Sequence, residues 1–279
     1  MGQCLLGDNP SQRFLLITGT AGGGKSTLVN VIEQLVTRQN CTELRLEHMH
    51  GRFENSRLVG KTLLTGKDVK AGFLDSKGAP MLKALTGKDI LTTEFKHSNS
   101  AIEIEGNYNV IVTSNATLQV RLENDAAAWK RRMLWIKYEN QPPAIPIENF
   151  DQLLIREEGS GILNFALDGA RELLSQGGKI KLFPAQEKRI DALLEDTDPV
   201  RLFIRECLEP EAGANVSQKE LWAHFNRYIT LHELDPIKQS AFRKILPDLM
   251  EQELHVTCRH DIMQDGRAVR GYANVTFKS

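Results

Sequence analysis

The sequence holds few cysteines. Cys4, Cys41, Cys207 and Cys258 are scattered, with no C-x-x-C pair. That excludes a disulfide scaffold or zinc ribbon and reads as the reduced thiols of an intracellular protein. An excess of one charge is also missing: 35 Lys and Arg stand against 36 Asp and Glu, a formal net charge of −1. No global basic field announces nucleic acid, so any DNA contact has to come from a local patch. No apolar run approaches membrane-spanning length, and no signal peptide is visible. Gly2 follows Met1, but Leu6 stands where a myristoylation signal has Ser or Thr. These absences predict a soluble, cytoplasmic chain with no membrane partner. What remains is ordinary globular composition, 41% hydrophobic and 25% charged over 279 residues, enough for one large domain or two modest ones.

Against that background one motif stands out. Gly19-Thr20-Ala21-Gly22-Gly23-Gly24-Lys25-Ser26-Thr27 fits G-x-x-x-x-G-K-[ST] in full. Residues 13–18 before it read as a short buried strand. Leu28, Val29, Val31, Ile32, Leu35 and Val36 after it give the apolar stripe of a helix. Strand, glycine loop and helix make a phosphate cradle. The glycines let backbone N–H groups converge on a triphosphate, and the helix N-terminus adds its dipole. Lys25 is placed for the β- and γ-phosphates of ATP, and the Ser26 hydroxyl for Mg²⁺.

Further strands are predicted at 44–48, 61–65, 110–114 and 133–138, with helices at 26–38, about 53–58, about 76–85 and 125–130. Strands alternating with helices behind a P-loop imply a mainly parallel sheet covered on both faces, an α/β fold of the P-loop NTPase type. Gln141-Pro142-Pro143-Ala144-Ile145-Pro146 reads as the exit from this domain. The predicted organisation is a core over 1–143, a helical segment over 144–184 with its helix at about 162–174, and a small domain over 185–279. In the last, Asp198-Pro199 starts one helix and Ser217-x-x-Glu220 is a capping box for a second. A third carries Phe242, Ile245, Leu246, Leu249 and Met250, with Pro247 awkwardly inside it. Strands at 254–258 and 272–277, with Asp265-Gly266 between them, form a hairpin. Three helices and a hairpin make a winged helix.

An ATPase also needs a carboxylate on the metal, a polar group on the attacking water and a positive charge on the γ-phosphate. Thr-Gly-Lys-Asp occurs twice, at 65–68 and 86–89. Only the first follows a strand-like run, which makes Asp68 the better metal carboxylate; the alternative is that both repeats are turns with solvated charges. Asn115 closes the apolar strand 110–114, where a side-chain amide can orient water; capping a turn is the bland alternative. Arg131 and Arg132 precede the last strand and are either a projecting pair or solvated surface. Lys96 and His97 lie between the β-like runs 90–95 and 101–104, the tip of a basic hairpin. His48 and His50 are spaced to share a strand face, but no third ligand accompanies them. Trp129 and Trp135 read as packing rather than base-stacking residues. Lys238, Gln239, Arg243 and Lys244 are placed to line the exposed face of the third helix, as solvated surface or as a DNA contact.

The run from Gly19 to Tyr138 resembles the ATPase core of the superfamily 3 helicases, and within them the C-terminal helicase region of phage, plasmid and poxvirus primase–helicases. Four features carry the resemblance: Gly24-Lys25-Ser26-Thr27, Leu85-Thr86-Gly87-Lys88-Asp89, the strand closing on Asn115, and Arg131-Arg132 before a hydrophobic strand. Residues 158–169 resemble the helical segment that follows that core. The resemblance implies an AAA+-type homo-oligomer, usually a hexameric ring, translocating on DNA, with a primase or other replication protein as a further partner. It implies Asn115 as sensor, Arg131 or Arg132 as the finger reaching a neighbour's ATP, and the Lys96–His97 hairpin as the loop gripping DNA. The chain departs from the family in two ways. Asp68 stands alone after Lys67, where the family has a carboxylate pair or a glutamate. The chain also begins almost at the P-loop strand, where the family carries an N-terminal region, which is the expectation for a fragment.

The function expected is that of an ATP-dependent DNA helicase motor. A non-motor ATP switch, such as an initiator or loader, and a small-molecule P-loop kinase are the alternatives. The kinase would need an acceptor pocket and has little use for a winged helix.

Overall fold

The structure is a computed structural model that describes residues 1–48, 51, 53–74, 79–95, 101–116, 118, 126–196, 198–232, 234, 236–264 and 266–278. The chain forms two compact units, Met1–Leu118 with Ala127–Asp191, and Gln119–Ala126 with Ala192–Ser279.

In chain order the first unit contains α1 (Gly2–Leu5), β1 (Phe14–Gly19), α2 (Lys25–Val36), β2 (Cys41–Glu43), β3 (Leu63–Gly66), α3 (Ala79–Gly87), β4 (Ile90–Glu94), β5 (Ala101–Glu105), β6 (Asn109–Ser114), α4 (Ala126–Arg132), β7 (Met133–Tyr138), α5 (Phe150–Ser175) and α6 (Pro184–Asp196), the last running across the unit boundary. A five-stranded sheet has the order β2-β3-β6-β1-β7, and every pairing in it is parallel. The mainly parallel α/β sheet read from the sequence is therefore the observed fold.

Both faces of strand β1 are covered, Ile17 by α2 and Phe14 by Trp129 of α4, which is why Phe14, Leu16 and Ile17 form an apolar run rather than an alternation. Helix α2 packs Val29, Ile32 and Val36 against Ile17, Leu63 and Ile111. Each such buried side chain contributes about 1.5–3 kcal/mol. Fully buried Trp129 meets the Phe14 ring edge-on at 6.1 Å, so it packs under the sheet as its composition suggests.

Three segments differ from the sequence reading. The strand expected at 44–48 lies earlier, at Cys41–Glu43, and Leu46–His48 is a 3-10 turn. Leu44 and Leu46 are both buried, so a tucked loop satisfies the alternation that reads as a strand. The helix expected at 53–58 is a 3-10 turn over Glu54–Leu58. Helix α5 starts at Phe150 instead of at 162, because Gly159 and Gly161 are carried inside the helix rather than ending it.

The second unit contains α7 (Pro199–Cys207), β8 (Leu208–Ser217), α8 (Gln218–Leu231), α9 (Gln239–Leu254), β9 (Arg259–Gln264) and β10 (Arg267–Phe277). Its antiparallel sheet has the order β8-β10-β9. Asp198 caps α7 by accepting from the Val200 N–H at 2.8 Å, and burial pushes its carboxyl pKa up. Ser217 and Glu220 form the expected capping box of α8. Phe203, Phe225 and Phe242, one from each of α7, α8 and α9, are fully buried. Phe225 meets Phe203 edge-on at 5.4 Å and stacks on Phe242 at 4.6 Å. The hairpin begins at Arg259, not at 254, because α9 runs on to Leu254 with Pro247 inside it. Strand β8 is an additional element.

Candidate functional site

Because the strands are parallel, β1, β3 and β6 all end on one edge of the sheet, and the chain segments leaving them meet there. In open α/β sheets this carboxyl edge is where ligands bind.

The loop after β1 is shaped by its glycines. Gly19 has φ +141°, and a Cβ on it would lie 2.1 Å from the Tyr138 carbonyl oxygen, so only glycine fits. Gly24 has φ +88° and forms the left-handed N-cap of α2. The first N–H groups of α2 therefore open onto the loop. Lys25 is 4% exposed, and its Nζ donates to the Gly19 carbonyl at 2.9 Å and the Thr20 carbonyl at 2.7 Å. An ammonium has three donors, so one further acceptor, such as a phosphate oxygen, completes its set. Burial pushes the pKa of the Tyr138 phenol, whose ring lies beside the loop, up.

A cavity of about 630 Å³ opens on this loop. It is lined by Ala21, Gly22, Gly23, Gly24, Lys25, Ser26 and Thr27, and also by Asp68 and Asn115. Asn115 Nδ2 donates toward Asp68 Oδ1 at 3.4 Å. Asp68 follows β3 and Asn115 follows β6. The structure thus brings together Lys25, Ser26, Asp68 and Asn115. Gly19 and Thr20 do not line the cavity, but their carbonyls accept from Lys25.

The donor set suits a hard divalent cation. The Ser26 hydroxyl and the Asp68 carboxylate are oxygen donors on one cavity, and Mg²⁺ takes one or two protein oxygens with phosphate and water completing its shell. Among the described residues no cluster of three or more His, Cys, Asp or Glu forms a separate metal cage. His50 lies outside the described residues, and His48 sits in the 3-10 turn beside Glu47.

The other predicted residues are elsewhere. Arg131 and Arg132 end α4 and do not line the cavity. Arg131 is exposed, while Arg132 is half-buried, with its guanidinium 3.0 Å from a Cβ built on Gly87. Strands β4 and β5 pair antiparallel as the expected hairpin, from Ile90↔Glu105 to Glu94↔Ala101. Lys96 and His97, which fall between the two strands in sequence, lie outside the described residues.

Sequence reasoning missed one wall of the cavity. Pro143, Ile145, Pro146, Ile147 and Phe150 line it. Ile145 is 84% and Ile147 57% exposed, an unusual outlay of apolar surface. The proline run that read as a domain exit is part of the site. The available signal was the lack of any charged side chain over 141–147.

Parallel sheet, glycine loop and converging strand ends define a P-loop α/β protein. Its sequence over residues 17–132 matches a family described as a family of unknown function (DUF5906). Among solved structures, the chain is similar to the apo NrS-1 C-terminal region at 17% identity, with a TM-score of 0.46, over 95% of this chain and 68% of that one. It is also similar to JCV helicase at 13% identity, with a TM-score of 0.35, over 70% of this chain and 52% of that one. Among the described residues, no helix is long and apolar enough to cross a membrane.

Proposed function

We propose that this chain hydrolyses Mg·ATP at the P-loop cavity and uses the cycle to move on DNA, as the motor of a replication helicase. The observation that carries the reading is the convergence of Lys25, Ser26, Asp68 and Asn115 on one cavity at the carboxyl edge of the sheet. Lys25 and the loop N–H groups bind the triphosphate, and Ser26 with Asp68 holds Mg²⁺. Held by these two residues, Mg²⁺ would supply positive charge against the negative charge that builds on the phosphates. Asn115 orients the attacking water. Pro143, Ile145, Ile147 and Phe150 seat the base and exclude water from one side. The exposed Arg131 acts on the nucleotide of a neighbouring subunit in a ring.

For the DNA side, the β4–β5 hairpin presents Lys96 and His97 to the strand. The second unit has the order helix, strand, helix, helix, strand, strand, which supports reading it as a winged helix. The domain plan of a core, a helical segment and a winged helix at 185–279 belongs to the same proposal.

The test uses a labelled forked duplex with Mg·ATP, scoring hydrolysis and strand separation together. A motor gives both, and Lys25→Ala gives neither. ATP-dependent binding without strand separation would assign the chain to the initiator or loader class instead.

A further inference from the structure

Asp68 is held in an unusual way. Its φ is +51°, in the left-handed region that a non-glycine residue occupies only when its surroundings insist. Two sets of contacts pin the turn around it. On one side, the Asp68 N–H donates to Thr113 Oγ1 at 3.1 Å and the Val69 N–H to the Thr113 carbonyl at 2.9 Å. Ser114 Oγ donates to the Val69 carbonyl at 2.8 Å. On the other side the contact is to α2. Lys67 Nζ donates to Asn30 Oδ1 at 2.8 Å and to Glu33 Oε2 at 2.9 Å. The second Glu33 oxygen accepts from Thr65 Oγ1 at 2.8 Å, on the strand that leads into the turn.

Glu33 is 7% and Thr65 4% exposed. A carboxylate this buried is costly unless its oxygens are satisfied, and both are. Helix α2 begins at Lys25 and Ser26 on the P-loop, and Glu33 lies roughly 12 Å further along its axis. The same helix that offers Ser26 therefore also grips the residue next to Asp68.

We propose that Glu33 and Lys67 are positioning residues that hold Asp68 in register with the P-loop helix, so that the two protein halves of the metal site keep their spacing. The proposal rests on the nucleotide-site reading above. Neither residue lines the P-loop cavity. Their effect passes through Asp68, so it belongs to metal engagement rather than to phosphate binding.

The experiment measures the full chain by three readouts: thermal unfolding, affinity for a fluorescent ATP analogue without metal, and the Mg²⁺ concentration that half-saturates the metal-dependent gain in that affinity. Supporting residues behind metal ligands typically change metal affinity or activity by about 10–100-fold. Lys67→Met should raise the Mg²⁺ half-point by about tenfold, with metal-free affinity unchanged. Lys67→Arg, which can still reach Glu33, should restore most of the loss. Glu33→Gln should shift the half-point in the same direction and less, and it carries the test if Lys67→Met does not fold. A folded variant with the wild-type Mg²⁺ half-point would overturn the proposal. So would a parallel loss of metal-free affinity, which marks general disruption of α2. Asp68→Asn separates the two layers. If it leaves the Mg²⁺ dependence intact, the nucleotide-site reading fails. If it shifts the dependence and Lys67→Met does not, only the positioning role fails.

Discussion

Asn115 Nδ2 reaches toward Asp68 Oδ1 across 3.4 Å, joining the carboxyl ends of the adjacent strands β6 and β3 beside the P-loop. Both side chains are exposed and the bond is long, so it adds little to stability. Its value is geometric. A carboxylate and an amide held this close on one cavity can divide the work between metal and water. Asn115→Ala should leave nucleotide affinity and thermal stability near wild type and cut hydrolysis on the order of 100-fold, the cost of removing one preorganised polar group. Parallel binding and turnover measurements check this. Weakened binding with intact turnover per bound nucleotide would remove Asn115 from the chemistry.

The apolar wall makes a separate prediction. Among the residues lining the cavity beside the P-loop, Pro143, Ile145, Pro146, Ile147 and Phe150 have no side-chain hydrogen-bonding group. A base seated on them is held by contact area. Ile147→Asn, polar but uncharged, should weaken binding of ATP by about tenfold, roughly 1.4 kcal/mol. Binding of inorganic tripolyphosphate, which has no base, should be unchanged. Calorimetry with both ligands checks it, and an equal loss for both would show that the wall supports the loop rather than the base.

Much of this site was legible in the sequence, for identifiable reasons. The P-loop is a local motif, β1 and β6 are short, largely buried apolar runs, and β7, though an edge strand, opens with the apolar run Met133-Leu134-Trp135-Ile136. Asp68 was legible because only one of the two Thr-Gly-Lys-Asp repeats follows a strand. The Lys67–Glu33 contact was not, because it joins residues 34 positions apart and neither is unusual in itself. Strand β8 was missed because Leu208–Ser217 includes Pro210 and Gly213, both poor strand residues. It is a sheet edge, paired only to β10, where proline is tolerated.

The arginines at the end of α4 divide by exposure. Arg132 is half-buried beside Gly87, while Arg131 faces solvent. If a finger acts across a subunit boundary, Arg131 supplies it. Arg131→Ala should bind ATP normally and hydrolyse it about 10³-fold more slowly, the scale of an arginine finger. Mixed with Lys25→Ala it should regain partial activity, because the Lys25 variant lends its intact arginine to a working P-loop. ATPase rates across mixing ratios, with native mass showing subunit exchange, check this. Absence of rescue in shared oligomers would place the arginine within its own chain or make it structural.

The second unit carries a pH-dependent link. Glu253 on α9 accepts from Arg205 Nε at 2.7 Å and pairs with Arg201, both on α7. The Arg205 hydrogen bond, with Arg201 adding to it against the cost of burial, holds the Glu253 carboxyl below its ordinary value of 4.5. A carboxylate with a depressed folded-state pKa stabilises fully above its unfolded value and loses that contribution as pH falls through the folded one. Glu253→Gln should therefore cost about 1–3 kcal/mol at pH 7, the scale of hydrogen bonds to a charged group. The gap from wild type should close as the pH falls below 4.5 and through the depressed folded-state value. Denaturant unfolding of both proteins across that range checks it, and a constant gap would mean that packing, not charge, is lost.

The most direct test of the whole account is the steady-state rate of ATP hydrolysis by the wild-type chain, measured with and without Mg²⁺ and single-stranded DNA, beside Lys25→Ala and Asp68→Asn. The account predicts hydrolysis that requires Mg²⁺ and rises with DNA. Both variants should fall by ~100-fold or more, as expected when about 3 kcal/mol of transition-state stabilisation is removed. Metal-independent turnover, or turnover in either folded variant equal to wild type, would contradict it.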